Sequence, residues 1–377
     1  MHQALFIDTH FRDPYECCIV CGVMICGSPD PTFEDYKEWK QFANPTSTVT
    51  VQAKQLESIY FHSEPWLWMC LYRTILHKSK NDHFAISGIT INQLNLNACT
   101  ATPVPRDSGL AYLAGPWPCP SSNRDFAYFH TANILGQDTN KEKDQEIGYT
   151  VHPHCWLLVD RVIGQILVEA NLKNFVKAVL QFWKENNKWW YLTPSPKEFC
   201  FKHEGSECLH GNHPWEKTAP TGRNPVLISD IRDLIQKARA RKASSCRDKD
   251  PPQPHRQKRQ QQSILSHIPL EISIMIIETI DYDQHSQDAE NILTAFGWRL
   301  PDTYWQSRCH TELIFEFQDL IDNRTPVDWQ FLALRSRKLL KGLLSLQNRA
   351  RIIGFLYRLK DIFLTLLEQD KVSGSNP

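Results

Sequence analysis

Between Ile264 and His310 the chain reads ILSHIPLEISIMIIETIDYDQHSQDAENILTAFGWRLPDTYWQSRCH, and no other stretch limits the possible folds so strongly. Ile268, Ile272 and Ile276 recur every four residues, and Ile277 and Ile280 widen the same stripe. That is the spacing of a helix with one apolar face. Pro269 suits the first helical turn, where a missing N–H costs nothing, and Glu271 sits at the positive end of the dipole. A second helix is expected from about Ser286 through Ile292, Leu293 and Phe296 to Trp298, closed by Gly297 and the Leu300-Pro301 pair. Asp302 then caps a short third helix carrying Tyr304 and Trp305. Three short helices cannot bury this many large apolar groups among themselves. They need a neighbour, either the rest of the chain or another protein.

Downstream, ELIFEFQDLI between Thr311 and Asp322 reads as an apolar, packed segment, Asp328 is a natural N-cap for WQFLALRSRKLLKGLL, and a last helix is expected from about Ser345 through Ile352, Phe355, Leu359 and Ile362. Eight basic residues and no acidic ones lie between Arg335 and Lys360, which reads as a solvated helix face or as a groove for an acidic partner or nucleic acid. VSGSNP at the end reads as a disordered tail over 372–377.

Upstream, KARARKASSCRDKDPPQPHRQKRQQQ from Lys237 to Gln262 carries nine basic and two acidic residues and almost nothing apolar. Such a segment cannot gain enough burial to order itself and marks a domain boundary. Its clusters at Lys237–Lys242 and Arg256–Arg259 are candidates for nuclear import or phosphate contact, but the zero net charge of the chain argues against nucleic acid as the main partner. No apolar run is long enough to span a bilayer, and MHQALFIDTHFRD has no basic start followed by an apolar block. The expected setting is intracellular, cytoplasm or nucleus.

That setting decides how the 12 cysteines are read, as thiols or metal ligands rather than disulfides. Cys18 and Cys21 have the C-x2-C spacing of a zinc knuckle, and Gly22 lets the backbone turn tightly beside them. Cys17 and Cys26 compete as ligands. About 130 residues later, His152 and Cys155 have H-x2-C spacing, with His154 as an alternative nitrogen. Together Cys18, Cys21, His152 and Cys155 make a candidate Cys3His zinc site, structural because four protein ligands leave no open position. Cys200, His203, Cys208, His210 and His213 form a second, less regular cluster that also reads as a polar loop. Between the motifs, STVTVQ and AISGITIN read as strands, and SIYFHSEPWLWMCLYRTIL as the core of a first domain. The proline-rich run from 100 to 146 reads as loops, and LLVDRVIGQILVEANLKNFVKAVLQFWKENN as two helices broken near Gly164 or Asn171.

The order Ile268-Pro269-x-Glu271-Ile272, then Ile276, Ile280, Leu293 and Trp298, resembles an F-box. LTAFGWRLPDTYW and VDWQFLALRSRKLL look like the helical C-terminal part of a group of fungal F-box-like proteins, and the early CxxCG and later HxxCW are similar to motifs of the same group. The resemblance implies a module that docks on the Skp-type adaptor of an SCF ubiquitin ligase, while the rest of the chain holds a protein substrate. Ile268, Pro269, Ile272, Ile276, Ile280, Leu293 and Trp298 would then be the partner-binding residues. The chain carries no GxGxxG, Walker-type loop, HExxH or GxSxG, so no enzyme is expected. A Cys155 thiolate beside two histidines is the remaining catalytic alternative. The expected architecture is α+β over 14–242 with one structural zinc, a basic linker over 243–262, and an all-helical F-box-like domain over 263–371.

Overall fold

A computed structural model describes residues 17–23, 25, 49–61, 65–78, 80–92, 103–114, 124–132, 146–186, 220–247, 268–280 and 282–374. It contains both helices and a mixed sheet, and it divides into two compact units. The first comprises residues 1–227 and 348–377; the second comprises 228–347. The chain therefore leaves the first unit, builds the second, and returns. The described start of the basic stretch, up to residue 247, belongs to the second unit.

The first unit is organised on β2 (Leu71–Lys78), the long buried strand supplied by the aromatic-rich segment. It follows a 3-10 turn, Pro65–Cys70, whose Trp66, Leu67, Trp68, Met69 and Cys70 are all buried. One edge of β2 pairs with β9 (Glu146–Val151) over six residues. The other edge is shared by β4 (Ile89–Ile91) at its start and β3 (His83–Ile86) at its end. The single strand expected at Ala85–Asn92 is thus two. The break falls at Ser87-Gly88, where a Cβ on Gly88 would lie 2.3 Å from the Leu110 carbonyl. Beyond β4 come β6 (Leu110–Ala114) and β1 (Val49–Gln52), and beyond β9 comes β8 (Phe129–Thr131). A small ladder joins β5 (Val104–Pro105) to β7 (Phe126–Ala127). The 100–146 run read as loops therefore contributes four short strands, two to five residues each and too brief to show an alternating pattern.

Helix α1 (Ala53–Glu57) is followed by α2 (Pro153–Val162), α3 (Gln165–Glu169) and α4 (Leu172–Glu185). Both anticipated breaks occur, at Gly164 with a φ of 104° and at Asn171, so three helices stand where two were expected. Trp156 of α2 meets Phe175 of α4 edge-on at 6.0 Å, and Phe175 meets Phe363 of the C-terminal helix at 5.9 Å.

The second unit begins with α5 (Ser229–Arg247), which takes in the first part of the supposed linker. Ala, Arg, Lys and Gln are strong helix formers, and Ile231, Leu234 and Ala238 give the helix a buried face. Arg241 bonds Asp328 and Lys242 bonds Asp302, so part of the basic charge is paired within the unit. Residues 248–267 lie outside the described set. Then follow α6 (Leu270–Glu278), α7 (Tyr282–Phe296), α8 (Asp302–Ser307), α9 (Phe315–Asp322) and α10 (Trp329–Gly342). Gly297 closes α7 at a φ of 65°, and Asp328 caps α10 by accepting from the Phe331 N–H at 3.0 Å. Pro269 and Pro301 hold the cap positions before α6 and α8. Ile277, Leu293, Trp298, Trp305, Phe317, Trp329 and Leu332 share one core. The last helix, α11 (Leu344–Gly374), returns to the first unit from Asn348 and keeps residues 372–374 helical, where a tail was expected. Among the described residues no helix is long and apolar enough to cross a membrane.

Candidate metal centre

Cys18, Cys21, His152 and Cys155 come together with all four potential ligand atoms within 4.8 Å of one another, and all four side chains are buried. Two local structures deliver them. The first is the knuckle at Cys17–Val23, closed by Cys18 N–H to Val23 carbonyl at 2.8 Å and Gly22 N–H to Cys18 carbonyl at 2.9 Å. Gly22 has a φ of 71°, a conformation that a side chain disfavours. The knuckle is held to β9 through Ile19 N–H to Thr150 carbonyl at 2.8 Å and Thr150 Oγ1 to Cys17 carbonyl at 2.8 Å. The second is the start of α2, where β9 ends at Val151, His152 is the N-cap and Cys155 lies in the first turn.

The spacings suit a tetrahedral ion. Metal–sulfur bonds of about 2.3 Å and metal–nitrogen bonds of about 2.0 Å put tetrahedral ligand atoms roughly 3.5–3.8 Å apart. His152 Nδ1 lies 3.5 Å from Cys21 Sγ and 3.9 Å from Cys155 Sγ. The His152 N–H points at Cys18 Sγ, 3.4 Å away, and the positive end of α2 favours negative charge on the sulfurs. The indole of Trp68 covers the imidazole at 4.8 Å.

Electrostatics agree with the geometry. Burial alone lowers the His152 pKa, but the Cys18 and Cys21 sulfurs override it and raise it to about 10. Burial opposes ionisation of Cys21, yet hydrogen bonds from Cys155 and Cys18 and the charge of His152 hold its pKa well below the ordinary 9.0. Cys155 is pushed up, first by burial and then by the neighbouring sulfurs. Protons and a metal ion would compete for the same buried sulfurs and imidazole, and three sulfurs and one ring nitrogen this close together fit a single ion.

His154 turns away, its Nε2 lying 3.1 Å from the Glu57 carbonyl, and burial lowers its pKa to about 4 so that it stays neutral. The Cys17 carbonyl accepts from Thr150 Oγ1, and the four clustered ligand atoms do not include its sulfur. Cys26 and the second cluster, Cys200, His203, Cys208, His210 and His213, lie outside the described residues. Trp68 and Trp183, whose Nε1 donates to the Ile19 carbonyl at 2.7 Å, complete the surroundings, and neither carried a motif that spacing could reveal.

The residues expected to meet a partner divide by depth. Leu293 and Trp298 lie in the core of the helical unit. Ile268, Ile276 and Ile280 are half-buried at its margin, whereas Pro269 and Ile272 are exposed. Comparison of the chain with protein-family models, with characterised proteins and with solved structures returns no match.

Proposed function

We propose that this chain is an F-box-like adaptor that recruits a protein substrate to an SCF-type ubiquitin ligase and performs no catalysis itself. The observation that carries the reading is the surface of α6. Leu270 and Ile272 are each 43% exposed and Met275 is 61% exposed, while Ile277 on the same helix is fully buried. A nine-residue helix with apolar groups on its outer side as well as its inner side has more hydrophobic surface than its own unit covers. Clustered exposed anchors of this kind mark protein-binding surfaces. The docking surface for a Skp-type partner is therefore Leu270, Ile272 and Met275, with Ile268, Pro269, Ile276 and Ile280 along its edges.

The metal in this reading is structural zinc. Three soft sulfurs and an imidazole are the donor set zinc prefers, and a closed four-ligand shell leaves no position for substrate or water. An intracellular setting, cytoplasm or nucleus, suits thiols used this way. Nucleic-acid binding through the Arg335–Lys360 face is disfavoured. Arg335 pairs with Glu290, Arg349 and Arg351 donate to backbone carbonyls, and Lys360 donates to the Val162 carbonyl.

The test is co-purification with a recombinant Skp-type adaptor, comparing the wild type with Ile272→Asp/Met275→Asp. Salt-resistant retention that the folded double variant loses supports the adaptor reading. Absence of retention by a folded wild type sinks it, and salt-sensitive retention on DNA instead would favour the nucleic-acid reading.

A further inference from the structure

The basic run from Arg335 to Lys360 contains a residue placed for neither solvent nor an acidic partner. Arg351 Nη1 donates to the carbonyl of Cys21 at 2.9 Å, so the C-terminal helix reaches the backbone of a metal ligand 330 residues earlier. The guanidinium is also held from within its own helix. Its Nε and Nη2 both donate to Asn348 Oδ1, at 3.3 and 2.9 Å, and Asn348 is fully buried with its Nδ2 donating to the Arg223 carbonyl at 2.8 Å. The cation also lies over the Phe355 ring at 5.3 Å, and Phe355 packs on Trp183 at 5.9 Å. Trp183 in turn donates to the Ile19 carbonyl. Two carbonyls of one short knuckle, Ile19 and Cys21, are thus held by side chains of two helices that touch each other.

We propose that Arg351 is a positioning residue of the metal centre, and that metal binding and seating of the first turns of α11 are one cooperative step. The inference rests on the metal reading above. Its logic is that of outer-shell partners generally, which fix the orientation of ligands and weigh measurably in metal affinity. A divalent ion with three thiolates and one neutral imidazole carries a net negative charge, and the Arg351 guanidinium lies beside it as a fixed cation. With the knuckle opened, the guanidinium loses its acceptor at Cys21, while the turn at Asn348–Phe355 keeps its contacts to residues 223–226 and to Trp183. Arg349 makes two of these, donating to the Pro225 carbonyl at 2.6 Å and the Val226 carbonyl at 2.9 Å.

The experiment uses the full chain with Co2+ and Zn2+ as probes. First, hydrogen exchange of residues 17–23 and 348–356 is compared in metal-loaded and chelated wild type; both segments should gain exchange together. Second, competition titration should show Arg351→Ala binding the ion about 10- to 100-fold more weakly, with Arg351→Lys recovering part of the loss. The thiolate-to-Co2+ absorption should keep its position, since the ligands are unchanged. Lys360→Ala is the control: it removes another bond from the same helix, to the Val162 carbonyl at 2.8 Å, and should leave metal affinity as in the wild type. Wild-type affinity in Arg351→Ala, equal loss in Lys360→Ala, or exchange at 348–356 indifferent to the metal would each overturn the proposal. A wild type that takes up neither ion overturns the metal reading itself, and that result is seen before any variant is made.

Discussion

His152 Nδ1 lies 3.5 Å from Cys21 Sγ, although 131 residues separate them in the chain. A metal bridging the two would close that span and, through Cys18 and Cys155, fasten the knuckle to the junction of β9 and α2. Structural zinc of this type binds with an apparent free energy on the order of 10 kcal/mol, comparable to the whole stability of a domain. His152→Ala and Cys155→Ala should therefore abolish uptake of one equivalent of metal and lower the melting temperature of the first unit. Cys17→Ala should retain the metal. Metal content by elemental analysis beside thermal melts checks all three, and stoichiometric metal in Cys155→Ala would place the site elsewhere.

Proton release should accompany binding. In the metal-free protein His152 titrates at about 10 and Cys155 is raised by burial, so at pH 7 both hold a proton that the metal must displace. The sign follows for each state. The raised His152 pKa stabilises the metal-free fold fully below its ordinary 6.5, and that contribution is lost as pH rises through about 10. Metal affinity runs the other way and strengthens with pH, because protons compete for the ligands. Titration calorimetry in buffers of different ionisation enthalpy should show net proton release on metal binding at pH 7. A release of zero is incompatible with this cluster as the site.

How much of this was legible in the sequence depends on the range of each interaction. The candidate ligands were legible because cysteine and histidine at x2 spacing carry their chemistry in their identity, and the helix of 329–342 because its cap and periodicity are local. The short strands were hidden: β5 and β7 are two residues each and exist only as each other's partner. The helical start of the supposed linker was hidden for a related reason. Charge density in Lys237–Lys242 suggested disorder, but Asp302 and Asp328, remote in sequence, supply the acceptors. Arg351 looked like one more cation on a basic face, and its carbonyl partner lies in another element altogether.

Removing Glu57 should be costly. Its Oε1 lies 2.6 Å from Arg73 Nη2, and the pair sits at the start of the central strand with Arg73 almost wholly buried. Burial lowers the Arg73 pKa, and the charge of Glu57 works against that. Glu57→Gln removes the hydrogen-bonded counter-charge of a buried guanidinium and leaves it the charge of Glu169, which should destabilise by about 3 kcal/mol. Arg73→Met together with Glu57→Gln should cost less than Glu57→Gln alone, because no orphaned charge remains. Urea unfolding of Glu57→Gln, Arg73→Met and the double variant reads this directly; additive losses would show that the pair is not coupled.

The two sides of α6 make the sharpest contrast available by mutation. Ile277 is fully buried in a core that contains Leu293, Trp305 and Phe317, so Ile277→Ala creates a cavity and should cost about 2–4 kcal/mol. Ile272 is 43% exposed, and Ile272→Ala should change stability by less than about 1 kcal/mol. Affinity for a Skp-type adaptor should respond in the reverse order, falling steeply for Ile272→Ala and for Met275→Ala. Loss of affinity in Ile277→Ala should appear only in proportion to unfolding. Chemical denaturation and binding measured on the same preparations separate the two effects. If Ile272→Ala instead unfolds the helical unit as readily as Ile277→Ala, the outer face of α6 is packed within the chain, and the partner must be sought on another surface.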